Sequence, residues 1–145
     1  MRVFNNRSFD NNTPNFAPEG NIVGEVPSGT GLVIMANSNV EVFDNSFSNN
    51  STIHIAVVSG DLESGDENYY PHPKSIQIHN NSYSNVGYSP DVDRGDLSKL
   101  LVEIAEGEMP DVIWDGVLPL SQAILGQPQD EKLILKENES IKFLN

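Results

Sequence analysis

The chain contains no cysteine and one tryptophan, and only 8 of its 145 residues are Lys or Arg. Without cysteine, disulfides, thiolate catalysis and cysteine-based zinc sites are excluded. Against 21 Asp and Glu, the scarcity of basic residues leaves a net charge of −13. A field of that sign repels nucleic acid and anionic lipid, so divalent cations and neutral sugars are the partners it favours. The excess is uneven: residues 1–58 carry five acids and two bases, and residues 59–145 carry sixteen acids and six bases. Apolar residues make up 37% of the chain, and no long apolar run follows Met1. Neither a signal peptide nor a membrane-inserted helix is expected. Repeat-like sequence begins already at Val3, which raises the expectation that the natural protein starts earlier.

What the chain has in quantity is turn chemistry: seventeen Asn, eleven Gly and nine Pro. Asn and Gly accept left-handed backbone, so turns should be frequent and helix scarce. Three segments repeat: Val3-Phe-Asn-Asn-Arg-Ser-Phe-Asp-Asn-Asn12, Val42-Phe-Asp-Asn-Ser-Phe-Ser-Asn-Asn50 and Ile78-His-Asn-Asn-Ser-Tyr-Ser-Asn85. Each has an apolar residue, an Asn, then an aromatic (Phe9, Phe47, Tyr83) and another Asn two positions later. The first copy carries one additional residue, Arg7. A second period joins Gly31–Met35 to His54–Val58, with Val33 to Ala56 and Met35 to Val58 each 23 apart. A coil of about that length, made of short strands, suits stacked parallel rungs about 4.8 Å apart. The aromatics recur at 38 and 36 residues, and the surplus over 23 falls in Asn12–Val26 and Gly60–His72, which read as loops. Stacking would set Asn45 over Asn81 as an amide ladder and Phe47 over Tyr83 as an aromatic stack, all four in structural roles.

These rungs, with Asn at the bend and an aromatic inside, resemble the right-handed parallel β-helix proteins of the pectin-lyase-like superfamily. The order Asn15–Gly20, Gly29–Gly31, Val40–Asn45 and Ile113–Gly116 is similar to a bacterial, mostly exported group of such proteins with unassigned activity. The resemblance covers most of residues 1–116. It implies an all-β fold, a right-handed parallel β-helix solenoid with long side loops and one short helix towards the C-terminus. It also implies an extracytoplasmic location, and because such proteins are usually longer, the chain reads as a C-terminal portion. The expected organisation is a single domain, 1–145, with repeat rungs in 1–86, a helix and loop insertion in 87–131, and final strands in 132–145.

Beyond Tyr88 the pattern changes. Apolar residues at 97, 100, 101, 104 and 105 follow a helical period, with Asp96 as N-cap and Gly107 beyond the C-terminus. Asp111–Gly116 reads as a strand and turn. Residues 117–131 read as a loop with helical character around Leu120–Leu125. Lys132–Lys136 and Ser140–Leu144 read as strands of a last rung.

Candidate chemistry is sparse. Asp91, Asp93 and Asp96 offer closely spaced oxygens for calcium, although Gly95–Asp96 reverses the order of an EF-hand loop and Val102 stands where its closing Glu belongs; the alternative is an acidic loop with a helix cap. No cofactor other than calcium is expected. Tyr69-Tyr-Pro-His-Pro73 is similar to the Asp-Pro-His-Asp/Glu motif of β-helix alginate epimerases, but Tyr70 and Pro73 replace both carboxylates, so the activity does not carry over. Tyr69, Tyr70 and His72 remain as sugar contacts, the alternative being a stiff loop packed on the rungs. Trp114 is either a carbohydrate platform or a core anchor. His54, His72 and His79 lack metal-ligand spacing, and the three Arg sit in no lyase motif. The functional expectation is a non-catalytic module binding a polysaccharide on its loop-bearing face. Its rivals are a structural or self-assembling protein and a divergent lyase or epimerase.

Overall fold

The computed structural model describes residues 1–18 and 20–145; Glu19, within the Asn15–Gly20 segment of the resemblance, lies outside the described residues. The chain is mostly β, with three parallel sheets visited in turn. The first pass runs through β1 (Arg2–Phe4), β2 (Arg7–Phe9) and β3 (Thr30–Met35). The second runs through β4 (Ser38–Phe43), β5 (Ser46–Asn50) and β6 (Ile53–Val58), and the third through β7 (Lys74–His79), β8 (Ser82–Val86) and β9 (Val112–Trp114). The last comprises β10 (Leu133–Lys136) and β11 (Phe143–Leu144). The first sheet has the order β1-β4-β7-β10, the second β2-β5-β8 and the third β11-β9-β6-β3. Among the described residues every strand pair is parallel.

Side-chain alternation explains the core. Val3, Val42, Ile78 and Leu135 form one row across the first sheet. Phe4, Phe43, His79 and Lys136 form the adjacent row on the opposite face. The inner row meets Ile34, Ile55, Val57 and Val112 of the third sheet and Phe47 of the second in one apolar cluster shared by all three sheets. Each Val, Ile or Phe fully buried there contributes about 1.5–3 kcal/mol. The 23-residue spacing is realised directly: Val33 pairs with Ala56 and Met35 with Val58.

The corner between the first and second sheets is built from paired residues. Asn5, Asp44 and Asn80 all adopt left-handed backbone, with φ of 55°, 53° and 54°. Asp10, Asn49 and Asn85 do the same at the next corner, with φ of 52°, 53° and 55°. Asn and Asp suit these corners because they tolerate that region better than other non-glycine residues. The residues following the first trio form the ladder. Asn6 Nδ2 donates to Asn45 Oδ1 at 3.0 Å, and Asn45 Nδ2 donates to Asn81 Oδ1 at 2.9 Å. Asn81 Nδ2 then donates to Glu137 Oε1 at 2.8 Å. Phe47 and Tyr83 stack at 5.6 Å.

The ladder corrects the alignment of the first copy. Asn6 sits over Asn45, so Arg7 pairs with Ser46 and Ser8 takes the Phe47 row. Phe9 falls opposite Ser48 and faces outward, 47% exposed against 3% for Phe47. Arg7 is not looped out, and a shift of one residue moves a strand side chain to the other face.

The third sheet is covered on both faces. All six residues of β6 are buried. Between β8 and β9 the chain forms α1 (Asp96–Ile104), and Leu101, Ala105 and Met109 pack with Ile53, Ala56, Val58 and Ile113. Asp96 is the first helical residue rather than its cap. Gly95 holds the cap position with φ of 122°, and Glu25 Oε2 accepts the Asp96 N–H from a loop 71 residues earlier. A second α-helix, α2 (Leu120–Leu125), lies between β9 and β10, so there are two short α-helices, besides a 3-10 turn at Ile22–Glu25, where one helix was expected. β9 pairs with β6, which makes it a strand of the third sheet inside the 87–131 insertion. β10 and β11 join different sheets, with no second-sheet strand between them. Among the described residues no helix is long and apolar enough to cross a membrane.

Candidate functional site

The loop that leaves β6 and returns to β7 brings Tyr69, Tyr70 and His72 together. Its ends are tied by Gly60 N–H donating to Pro71 O at 2.8 Å. Asp115 anchors the exit, accepting the Ser59 N–H at 2.6 Å. The Tyr69 hydroxyl accepts the Asp61 N–H at 3.2 Å and sits directly above Gly60, where a Cβ would approach it to 1.7 Å. No other residue fits under that phenol without moving it. The Tyr70 and His72 rings meet edge to face, 5.5 Å apart, and Lys74 Nζ stands 4.6 Å over the Tyr70 ring. His72 Nδ1 lies 3.2 Å from Val117 O. A carbonyl only accepts, so this contact puts the imidazole proton on Nδ1 and leaves Nε2 as an acceptor.

Lys74 also pairs with Glu131 at 3.2 Å. The hydrogen bond from Gln122 and then that from Lys74 hold the Glu131 carboxyl below its ordinary range. Asp61, Glu63, Asp66 and Glu67 occupy the same loop. The cluster therefore presents aromatic edges, a Tyr face covered by one cation, and a negative surround.

Trp114 does not join this group. It lies in β9 opposite Val57 and packs against the shared apolar core, in the anchoring role. Its Nε1 is buried with no partner among the described residues. The acidic trio does not converge either. Asp91 Oδ2 accepts the Ser28 N–H at 2.9 Å and its Oδ1 accepts the Asp93 N–H at 3.2 Å. Asp96 faces solvent beside Lys99, 3.7 Å away. Among the described residues no three His, Asp or Glu side chains gather as a metal site requires. Asp91 is a loop brace, and Asp96 is an exposed residue of the first helical turn.

The four expected ladder residues, Asn45, Asn81, Phe47 and Tyr83, are all in the stack. Sequence reasoning missed what ends it. Glu137 Oε1 accepts both from Asn81 Nδ2 and from the Tyr83 hydroxyl, each at 2.8 Å. Burial, followed by the Glu137 charge and hydrogen bond, raises the Tyr83 phenol far above its ordinary value. The amide dipoles of Asn6, Asn45 and Asn81 all point their N–H groups towards this carboxylate, which suits a negative charge at that end. No repeat signal marks Glu137, because a carboxylate replaces the amide there.

The outward row on the first sheet was also missed as a stack. Phe4 and Phe43 lie 5.1 Å apart, and Phe43 and His79 lie 5.2 Å apart, nearly parallel. Arg2 covers Phe43 at 4.7 Å. Ring faces used on one another and on Arg2 are unavailable to a ligand, so the row stabilises strand stacking. Glu41, bonded by His79 and Arg2, has its carboxyl pulled below the ordinary range.

His54 is wholly buried on β6. Asn50 Oδ1 accepts from Asn11 Nδ2 at 2.9 Å, which turns Asn50 Nδ2 towards His54 Nδ1 at 3.0 Å. His54 Nδ1 must therefore accept, and its proton sits on Nε2, without a partner among the described residues and 4.0 Å from Asp111 Oδ1. Burial lowers the pKa of this imidazole against the opposing pull of Asp111.

Compared with known proteins, the chain matches no family model, no curated protein and no solved structure.

Proposed function

We propose that the three sheets form a right-handed parallel β-helix of the pectin-lyase-like kind, and that the chain is a non-catalytic, extracytoplasmic module that binds a polysaccharide on its loop-bearing side. The β-helix reading draws on the fixed order in which the chain visits the sheets, the single core they share and the amide ladder at one corner. The binding reading is carried by one observation: the exposed Tyr69 and Tyr70 and the half-buried His72 form a loop cluster braced by Gly60, Asp61, Val117 and Lys74. A cluster ordered in advance has little conformational freedom left to lose on binding. A Tyr ring face meets sugar C–H groups while hydroxyl and imidazole exchange hydrogen bonds with sugar hydroxyls. The four acids of the loop favour a neutral glycan over a uronate polymer.

The test is a thermal-shift titration against neutral and acidic polysaccharides, with calcium and with chelator. A glycan that raises Tm for the natural chain and not for Tyr70→Ala supports the reading, since a ligand bound only by the folded state stabilises it by mass action. If no glycan shifts Tm, the binding reading falls.

Self-association is the second reading, and α2 favours it. Leu120, Ile124 and Leu125 are 77%, 71% and 84% exposed on one short helix. Sedimentation that stays monomeric up to high concentration would remove it.

A further inference from the structure

A cleft of about 490 Å³ opens at the corner between the second and third sheets, well away from the Tyr70 loop in sequence. One wall is the 12–29 loop, contributing Asn12 and Ser28; the other is the start of the 87–111 insertion, contributing Tyr88, Ser89 and Asp91; Ser51 lies between them. Its volume is that of an ordinary small-ligand site.

The walls are locked to each other. Ser28 N–H donates to Asp91 Oδ2 at 2.9 Å, and Asn12 Nδ2 donates to the Tyr88 hydroxyl at 2.9 Å. Arg94 Nε donates to Gly24 O at 3.0 Å and its Nη2 to Ala17 O at 2.9 Å. Thr52 Oγ1 accepts the Asp91 N–H at 2.9 Å, which ties the second wall to the second pass. Gly29, at φ of 78°, lets the first wall pass so close to Ser51 that a Cβ there would lie 2.1 Å from its Oγ. Two long loops are thereby held at a fixed separation before any ligand arrives.

The lining chemistry selects the ligand. Tyr88 is 53% exposed, and its hydroxyl is fixed by Asn12 and by Asn49 O at 3.1 Å, so the ring is presented in one orientation. The Ser51 and Ser89 hydroxyls hold no hydrogen bond among the described residues and keep both donor and acceptor capacity. The lining contains no Lys or Arg. Its one charge is the Asp91 carboxylate, which repels anions.

We infer that this cleft is a second saccharide site, holding a short stretch of a neutral glycan with Tyr88 as the apolar contact and Ser51 and Ser89 as hydroxyl partners. The inference rests on the reading that the chain binds a glycan. It extends that reading to a site between loops 12–29 and 87–95 that is independent of Tyr70.

The test is an NMR titration of the 15N-labelled full chain with cellohexaose, chitohexaose and mannohexaose, and with hexaguluronate as the anionic comparison. The expected result is saturable shifts at Ser51, Ser89 and Asp91 with a neutral hexasaccharide and none with hexaguluronate. Tyr88→Ala should weaken that binding about tenfold. Ser89→Ala, at an exposed position that leaves the wall-to-wall hydrogen bonds intact, should weaken it less while leaving Tm unchanged. Shifts confined to Tyr70, His72 and Lys74 overturn this inference and leave the proposed function standing. Shifts with no glycan overturn both. Equal binding by natural chain, Tyr88→Ala and Ser89→Ala places the ligand elsewhere and also overturns the inference.

Discussion

The corner between the first and second sheets and the two corners flanking the third sheet differ in how regularly the chain crosses them. At the first, Asn5–Asn6, Asp44–Asn45 and Asn80–Asn81 turn the chain in the same way on successive passes, with nearly identical φ. At the others the chain turns tightly between β3 and β4 and between β5 and β6 but elsewhere leaves the stack for long excursions: residues 12–29, 59–73, 87–111 and 115–132. Repetition is enforced where each residue must hydrogen-bond to its counterpart one pass away, since a single misplaced residue strands buried amides. It is relaxed in the long excursions, which face water and have no counterpart one pass away. Both candidate sites lie at the relaxed corners, and the cross-pass amide ladder lies at the repetitive one.

Breaking the ladder should have the largest effect. Asn45 accepts from Asn6, donates to Val3 O, Phe43 O and Asn81 Oδ1, and is buried. Asn45→Ala leaves several of those groups unpaired and should cost about 3–4 kcal/mol by urea unfolding. A cost below about 1 kcal/mol would mean that the ladder is ornament and the comparison false. Leu101→Ala, which removes the fully buried contact of α1 with the third sheet, should cost about 3 kcal/mol. Hydrogen exchange should then show the 87–111 insertion opening before the strands.

The ladder terminus sharpens the contrast. Glu137→Ala should cost about 2 kcal/mol, and Glu137→Gln less, because a glutamine carbonyl can still accept from Asn81 and Tyr83.

His54 adds a pH signature. Its folded pKa lies below the ordinary 6.5, with Asp111 and Tyr83 as the ionisable groups facing it. Below pH 6.5 the unfolded chain takes up a proton at this position that the folded chain resists. The contribution to stability is complete above 6.5, falls as pH drops through that value, and stops falling only beneath the folded pKa. Unfolding free energies between pH 5 and 7 should slope upward with pH, and His54→Gln should flatten that slope. An unchanged slope in the variant would assign it to other groups.

At the relaxed corner the smallest effect is expected. Leu125→Ser in α2 should change stability by less than about 0.5 kcal/mol, because its side chain is almost wholly exposed.

Much of the stacking was legible beforehand, and for a local reason. A parallel stack sets like residues over like, so the spacing of Val33 to Ala56 and the match of Phe47 to Tyr83 translate directly into register. The aromatic loop was legible because Tyr69, Tyr70 and His72 are sequence neighbours and need only one turn to meet. Phe9 was misread because its copy carries an extra residue, and the ladder at Asn6, not the similarity of the side chains, decided which face it took. Trp114 offered both a platform and an anchor, and its packing on the shared core became visible only once β9 was placed against β6.

By itself, then, the sequence determined a parallel, turn-rich, repeating β architecture with acidic loops and an Asn–aromatic stack, because periodicity and backbone preference act over a few residues. Only the tertiary structure decided that Glu137 ends the ladder, 56 residues from Asn81, and that Arg94 clamps a loop 77 residues upstream. It alone set α1 over the outer face of the third sheet. Such partners carry no common spacing or repeat. They meet because the stacked strands fix where each excursion leaves and returns, and the hydrogen bonds then form between whatever polar groups are brought together there.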